Sequence, residues 1–173
     1  MLRVARRYPE IEWVEGTAAA MTFAGEFELA VMMGHAFQVL LTDDDVRASL
    51  AAIRRALVPA GRFVFETRNP LARAWDRWNP GNATEVEAPW GERVRVSHVV
   101  KSVTGDVVSM TETTSAVDGG TERVDHGDIR FIDIDTLAGF LAEAGFDIEA
   151  QYGNWDRSPV EPSSPEIITV ARI

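Results

Sequence analysis

Cysteine is absent from this chain of 173 residues. That excludes disulfides, thiolate metal sites and a cysteine nucleophile, and it suits a reducing compartment. Long apolar runs are missing too: no stretch approaches the ~18 to 20 residues of a membrane helix, and the opening "MLRVARRYPEIEW" has no apolar h-region of a secretory signal. A membrane is therefore not an expected partner, and a cytoplasmic location is the expectation. Positive charge is scarce, with 17 Lys and Arg against 27 Asp and Glu and a formal net charge of −10. Such a balance repels a phosphate backbone, and no local basic patch offsets it. Arg3, Arg6, Arg7, Arg54 and Arg55 sit at helical spacing and read as solvated faces, so nucleic acid is not expected either. The three histidines, His35, His98 and His126, show no ligand spacing, and no metal site is expected. What remains is an ordinary apolar fraction of 46%, enough for one domain with a core over 1–173.

The order of elements is legible in the periodicity. "LRVARRYP" reads as a helix end stopped by Pro9, and "IEWVEG" as a short strand closed by Gly16. "FELAVMM" is a continuous apolar run of the kind a strand buried on both faces requires, and Gly34 ends it. Thr42 then precedes "DDDVRASLAAIRRAL", where its hydroxyl can cap free N–H groups and three aspartates oppose the positive helix end. Val46, Leu50, Ile53 and Leu57 recur at intervals of four, three and four, which turns one stripe toward a sheet. Pro59 and Gly61 close this helix, and "RFVFET" is the next strand. Strand, helix and strand with short connections predict a parallel α/β sheet.

From Arg93 to Ile132 the pattern alternates, with turn signals "TGD" and "DGG" between runs, so 93–132 is expected to be an antiparallel β-meander inserted in the domain. "DIDTLAGFLAEAG" follows as a helix with an Asp cap, a Leu137, Phe140, Leu141, Ala144 stripe and Gly145 as terminator. "FDIEAQY" and "EIITVARI" are the last two strands.

The stretches "EWVEGTAAAM", "FELAVMMGHAFQVLLTDDDVRASLAAIRRALVPAGRFVFETRNP", "LAEAGFDIEAQYGNWD" and "SPEIITVARI" resemble the class I S-adenosylmethionine-dependent methyltransferases, in particular small bacterial methyltransferase-domain proteins. The resemblance implies a truncated Rossmann-like methyltransferase sheet, α/β, mixed and mostly parallel with the last strand antiparallel. In that family the strand order is 3-2-1-4-5-7-6. Here "IEWVE" maps to strand three, "ELAVMM" to strand four, "RFVFET" to strand five, and the terminal pair to the last two. The chain contains no GxGxG; the Gly-rich loop that approaches the cofactor and the acidic residue after strand two have no counterpart, and the resemblance places Met1 in the helix after that residue. Strand four would then be a bare apolar edge. The expectation is that "IEWVE" pairs directly with "ELAVMM", or that a homodimer forms through the exposed sheet edge.

The resemblance also assigns candidate residues. Thr17 and Ala18 stand in "GTA", where the family usually has "GDA", so a hydroxyl takes the place of the carboxylate that accepts from the adenine amino group. A hydroxyl accepts more weakly. Met33, Gly34, His35 and Gln38 would bind S-adenosylmethionine near its sulfonium end, His35 doubling as the catalytic candidate, while Phe37, Arg68 and Asn69 would meet a small-molecule methyl acceptor. Position supports this independently, because open α/β sheets bind ligands at the C-terminal ends of their strands. The plainer alternatives are a turn glycine with a loop histidine at 34 and 35, and a turn with a surface arginine at 68 and 69. Trp75, Trp78 and Trp90 would wall a substrate pocket or fill core. Asp156 and Arg157 resemble a loop near the active-site mouth.

The expected activity is methyl transfer, in which alignment and desolvation of the acceptor do most of the work. With the Gly-rich loop missing, the chain alone is expected to bind S-adenosylmethionine poorly. A non-enzymatic remnant and a binding module completed by a partner are the alternatives.

Overall fold

Two sheets share the residues described by the computed structural model, which are 8–88, 91–120 and 122–173. The first begins with β1 (Phe27–Met32), crosses through α1 (Asp43–Ala56) and returns as β2 (Leu57–Arg68), parallel to β1. After α2 (Ile134–Glu143) it is completed by two later strands, β7 (Asp147–Tyr152) and β8 (Glu166–Arg172), in the order β1-β2-β8-β7. β8 runs antiparallel to both β2 and β7. Only the last strand is reversed, as the resemblance implies.

Helix α1 starts where a cap is available. Thr42 Oγ1 accepts from the Asp45 N–H at 3.1 Å, and the Asp45 carboxylate accepts from the Thr42 N–H at 3.1 Å, a reciprocal box that satisfies two free donors. Asp43, Asp44 and Asp45 occupy the first turn and Arg54 and Arg55 the last, each opposing the helix dipole. Thr42→Ala is expected to cost about 1 kcal/mol, read as a lower urea midpoint with an unchanged slope.

Both helices cover one face of the first sheet. Val46, Leu50 and Ile53 of α1 and Leu137, Phe140 and Leu141 of α2 meet Phe63, Phe65, Ile167 and Ala171 of the strands in a single cluster. The opposite face is open at β1, where Leu29 is 55% and Val31 60% exposed. The expectation that "FELAVMM" is buried on both faces therefore fails: only Ala30 and Met32 pack toward the core. Among the described residues β1 is a border strand with β2 as its single neighbour, and they place nothing against its other edge or over its open face.

"IEWVE" is not a strand. Residues 11–16 lie outside any helix or strand, with Ile11 and Val14 exposed. A strand needs a partner for its N–H and C=O groups, and β1 does not pair with this segment. The helix expected in "LRVARRYP" falls largely on residues 1–7, outside the described residues, as does Trp90.

The second sheet is antiparallel and larger than expected, in the order β3-β4-β5-β6. The strands are β3 (Thr84–Glu87), β4 (Arg93–Thr104), β5 (Val107–Ala116) and β6 (Glu122–Arg130). The addition of β3 moves its start upstream of Arg93, and β6 stops at Arg130, leaving Phe131 and Ile132 buried in the connection to α2. Gly105, at φ 60°, makes the tight link between β4 and β5. Arg130 ties the two sheets together: its Nη2 reaches Asp43 Oδ1 at 2.7 Å, its Nε reaches Asp106 Oδ2 at 2.6 Å, and its guanidinium lies over the Phe140 ring. Among the described residues no helix is long and apolar enough to cross a membrane.

Candidate functional site

The chain leaves the C-terminal end of β1 through Met33, Gly34 and His35, and the turn is sharp. Gly34 has φ 70° and His35 has φ 58° and ψ 24°, left-handed values in succession. Gly34 adopts such a conformation without steric penalty, whereas a histidine needs its surroundings to hold it there. Two carboxylates do so. The His35 N–H donates to Glu66 Oε1 at 2.8 Å, and His35 Nε2 lies 3.0 and 3.1 Å from the two carboxylate oxygens of Glu166.

The sheet register explains why these groups converge. Glu66 and Arg68 are near the C-terminal end of β2, Glu166 opens β8, and Arg68 stands directly opposite Glu166 in the ladder. Glu66 is only 3% exposed and its Oε2 is buried with no hydrogen-bond partner among the described residues. Burial pulls the Arg68 guanidinium below its ordinary pKa, and the Glu166 and Glu66 carboxylates oppose that pull. Arg68 Nη1 donates to Gln38 Oε1 at 2.9 Å, and the guanidinium lies 5.3 Å from the centre of the Trp78 ring. Trp78 in turn leans on His98, 5.7 Å between ring centres, and His98 Nε2 is 3.0 Å from Glu112 Oε2. The second sheet thus supplies one wall.

The residues singled out in the sequence divide into three groups. His35 and Arg68 belong to the polar cluster, with Met33, half exposed, and Gly34 at its rim. Gln38 is buried beneath it with both ends of its amide engaged, Oε1 by Arg68 and Nε2 donating to the Arg130 carbonyl at 2.9 Å, so it acts as a strut. Phe37 is buried and stacks on Phe65 at 4.5 Å, which makes it core. Asn69 is buried as well; its amide donates to the Glu161 carbonyl and its oxygen accepts from the Leu71 N–H, which shapes the turn after β2. Thr17 and Ala18 lie apart, beginning a short 3₁₀ turn (Ala18–Ala20) and lining an open groove with Glu15, Met21 and Phe23. Trp75 packs edge-on against Phe131.

Glu66 and Glu166 escaped the sequence reading, although a signal existed. Each is an isolated carboxylate in or beside an otherwise apolar strand, "RFVFET" and "EIITVAR", and a charge placed there must find partners or a use.

No protein-family model and no curated protein sequence matches the chain. Solved structures do. A S-adenosylmethionine-dependent methyltransferase from Clostridium acetobutylicum superposes with a TM-score of 0.78 at 14% identity, over 99% of this chain and 69% of the other. The fold is that of the class I S-adenosylmethionine-dependent methyltransferases. CalS10, an amino pentose methyltransferase from Micromonospora echinaspora, gives a TM-score of 0.70 at 21% identity, covering 99% of this chain and 69% of that one. The sugar N-methyltransferase KedS8 from Streptoalloteichus gives 0.66 at 15%, covering 98% and 66%. The fold seen here spans about two thirds of the length of these neighbours, and the polar cluster around His35 lies where the parallel strands β1 and β2 end.

Proposed function

We propose that this chain carries the acceptor side of a S-adenosylmethionine-dependent methyltransferase whose substrate is a small molecule bearing an amine. The observation that carries this reading is the cluster of His35 between Glu66 and Glu166 at the C-terminal edge of the parallel strands, the position at which open α/β sheets bind ligands. Support for an amine comes from two directions. Carboxylates facing an imidazole favour a group that arrives with protons to donate, and structural neighbours include an amino pentose and a sugar N-methyltransferase.

The residues present suit the cofactor's methionine end. Among the described residues Glu66 Oε2 is buried without a donor, as a cationic group would require, and beyond the adjoining residues none of them lies within 4 Å of the place a Cβ on Gly34 would occupy, so another molecule can approach that backbone closely. Met33, Gly34 and His35 would hold this end, with Thr17 and Ala18 beside the adenine. When bound, the cofactor supplies an electrophilic methyl group. His35 accepts a proton from the acceptor, Arg68 and Trp78 wall the pocket, and Gln38 keeps Arg68 in place.

Calorimetry on this chain is expected to give an affinity weaker than micromolar, because the described residues line only one flank of such a site. Amide shifts on adding S-adenosylmethionine at millimolar concentration should concentrate at 17–18 and 33–35. Shifts confined to the second sheet would refute the placement. A further reading, in which a second copy completes the sheet, draws on the bare outer edge of β1; sedimentation that stays monomeric at high concentration would eliminate it.

A further inference from the structure

We infer that Glu166 is the positioning residue of this site, accepting the His35 Nε2 proton and so leaving Nδ1 as the nitrogen that takes the proton from the methyl acceptor. The inference rests on the proposed role of His35 and adds the atom that acts and the residue that selects it.

The geometry leads there in three steps. An ionised carboxylate can only accept, and both oxygens of Glu166 lie at hydrogen-bond distance from Nε2, at 3.0 and 3.1 Å, so a neutral His35 must carry its proton on that nitrogen. The bond made by one ring nitrogen decides what the other can do. His35 Nδ1 has no hydrogen-bond partner among the described residues, which leaves its lone pair free. Secondly, the imidazole cannot swing away from Glu166 easily. Its backbone is fixed in the left-handed region by the bond from its N–H to Glu66 Oε1, and Glu66 is itself buried in β2. Thirdly, Glu166 is anchored by the β2–β8 ladder, where its register partner is Arg68. Base, orienting carboxylate and anchoring strand form an arrangement of the same logic as a hydrolase triad, without a nucleophile from the protein.

The proton balance requires such a group. The acceptor nitrogen forms a bond to the methyl carbon while the C–S bond of the sulfonium breaks, its electron pair staying on sulfur, and the resulting ammonium has a proton to lose. Nδ1 takes that proton, and Glu166, already bonded to Nε2–H, balances the imidazolium charge.

Nitrogen-15 NMR of the imidazoles tests this directly, with no need of cofactor or substrate. The chain has three histidines, so loss of one set of signals in His35→Asn assigns His35. In the neutral ring, the expected result is a protonated Nε2 and a bare Nδ1. Glu166→Gln retains an oxygen acceptor and should preserve that tautomer, whereas Glu166→Val should give a mixture. A wild-type His35 protonated on Nδ1 overturns the inference, and so does a Glu166→Val spectrum that keeps the pure Nε2–H form. Where Glu166→Val fails to fold, the wild-type and Glu166→Gln spectra decide. A correct tautomer together with undiminished methyl transfer by His35→Asn would remove His35 from the chemistry and thereby overturn the proton-acceptor half of the inference, while leaving the placement of Glu166 intact.

Discussion

Truncation of Phe65 to alanine is expected to remove about 3 to 5 kcal/mol of stability. Phe65 is fully buried, at 0% exposure, and it joins two other rings: Phe37 stacks on it at 4.5 Å with 22° between planes, and Phe63 at 4.6 Å with 16°. Removal costs the transfer energy of the ring, and a cavity stays because the helices on that face hold its walls apart. The damage should reach the candidate site, since Phe37 belongs to the short turn that begins one residue after His35. Urea denaturation gives the energy, and the His35 imidazole signals report the loss of order. Phe65→Leu fills most of the space and should cost distinctly less. A Phe65→Ala loss below about 1 kcal/mol would mean that the three-ring stack is not packed as described.

Gly153→Ala should also destabilise the fold, for the opposite reason. A Cβ there would run into Ser164 Oγ and come within 2.7 Å of the Pro159 carbonyl oxygen and 2.8 Å of Ser164 Cβ. The surrounding atoms are hard to move. The Gly153 N–H donates to the Ser158 carbonyl at 2.8 Å, its own carbonyl accepts from the Glu166 N–H, and Ser164 Oγ accepts from the Glu161 N–H at 2.8 Å. One extra methyl in such a place typically costs about 1 to 3 kcal/mol. Because the displaced loop leads straight into Glu166, the variant should also loosen the bond to His35 Nε2. Pairing it with Ser164→Gly, which removes two of the three collisions, should restore part of the loss in a double-mutant cycle. Strictly additive energies would show that the crowding at Gly153 is not the cause.

Much of the fold is readable before any coordinates, and the reason lies in local periodicity. The stripe of Val46, Leu50 and Ile53 marks a helix on a sheet, although Leu57, read with it, already begins β2 and Pro59 and Gly61, read as its stop, lie within that strand; the capping Thr42 marks the helix start, and alternation over β4 to β6 marks an antiparallel sheet. What periodicity reports is whether one element has an apolar side; it says nothing of whether a neighbour is there to use it. "IEWVE" has strand composition and no strand beside it among the described residues, and Leu29 and Val31 have core composition yet stay exposed. Phe37 and Gln38 illustrate the same limit at the site. Their residue types suit ligand contact, yet stacking on Phe65 and bonding to Arg68 turn them inward. Glu66 and Glu166 stand 31 and 131 residues from His35. Only the sheet register brings them together, and no pattern within either stretch encodes it.

The place of β8 within the first sheet has a consequence for how the protein is made. This strand comes last in sequence order yet lies between β2 and β7, bonded along its length to each. While a ribosome is still supplying earlier residues, β2 and β7 have no common neighbour, and the cleft between them stays open. The layer closes in one late step, through contacts of large sequence separation, which is the slow route to a native state. Until that step β2, the strand that carries Phe63 and Phe65, lacks its neighbour on that side.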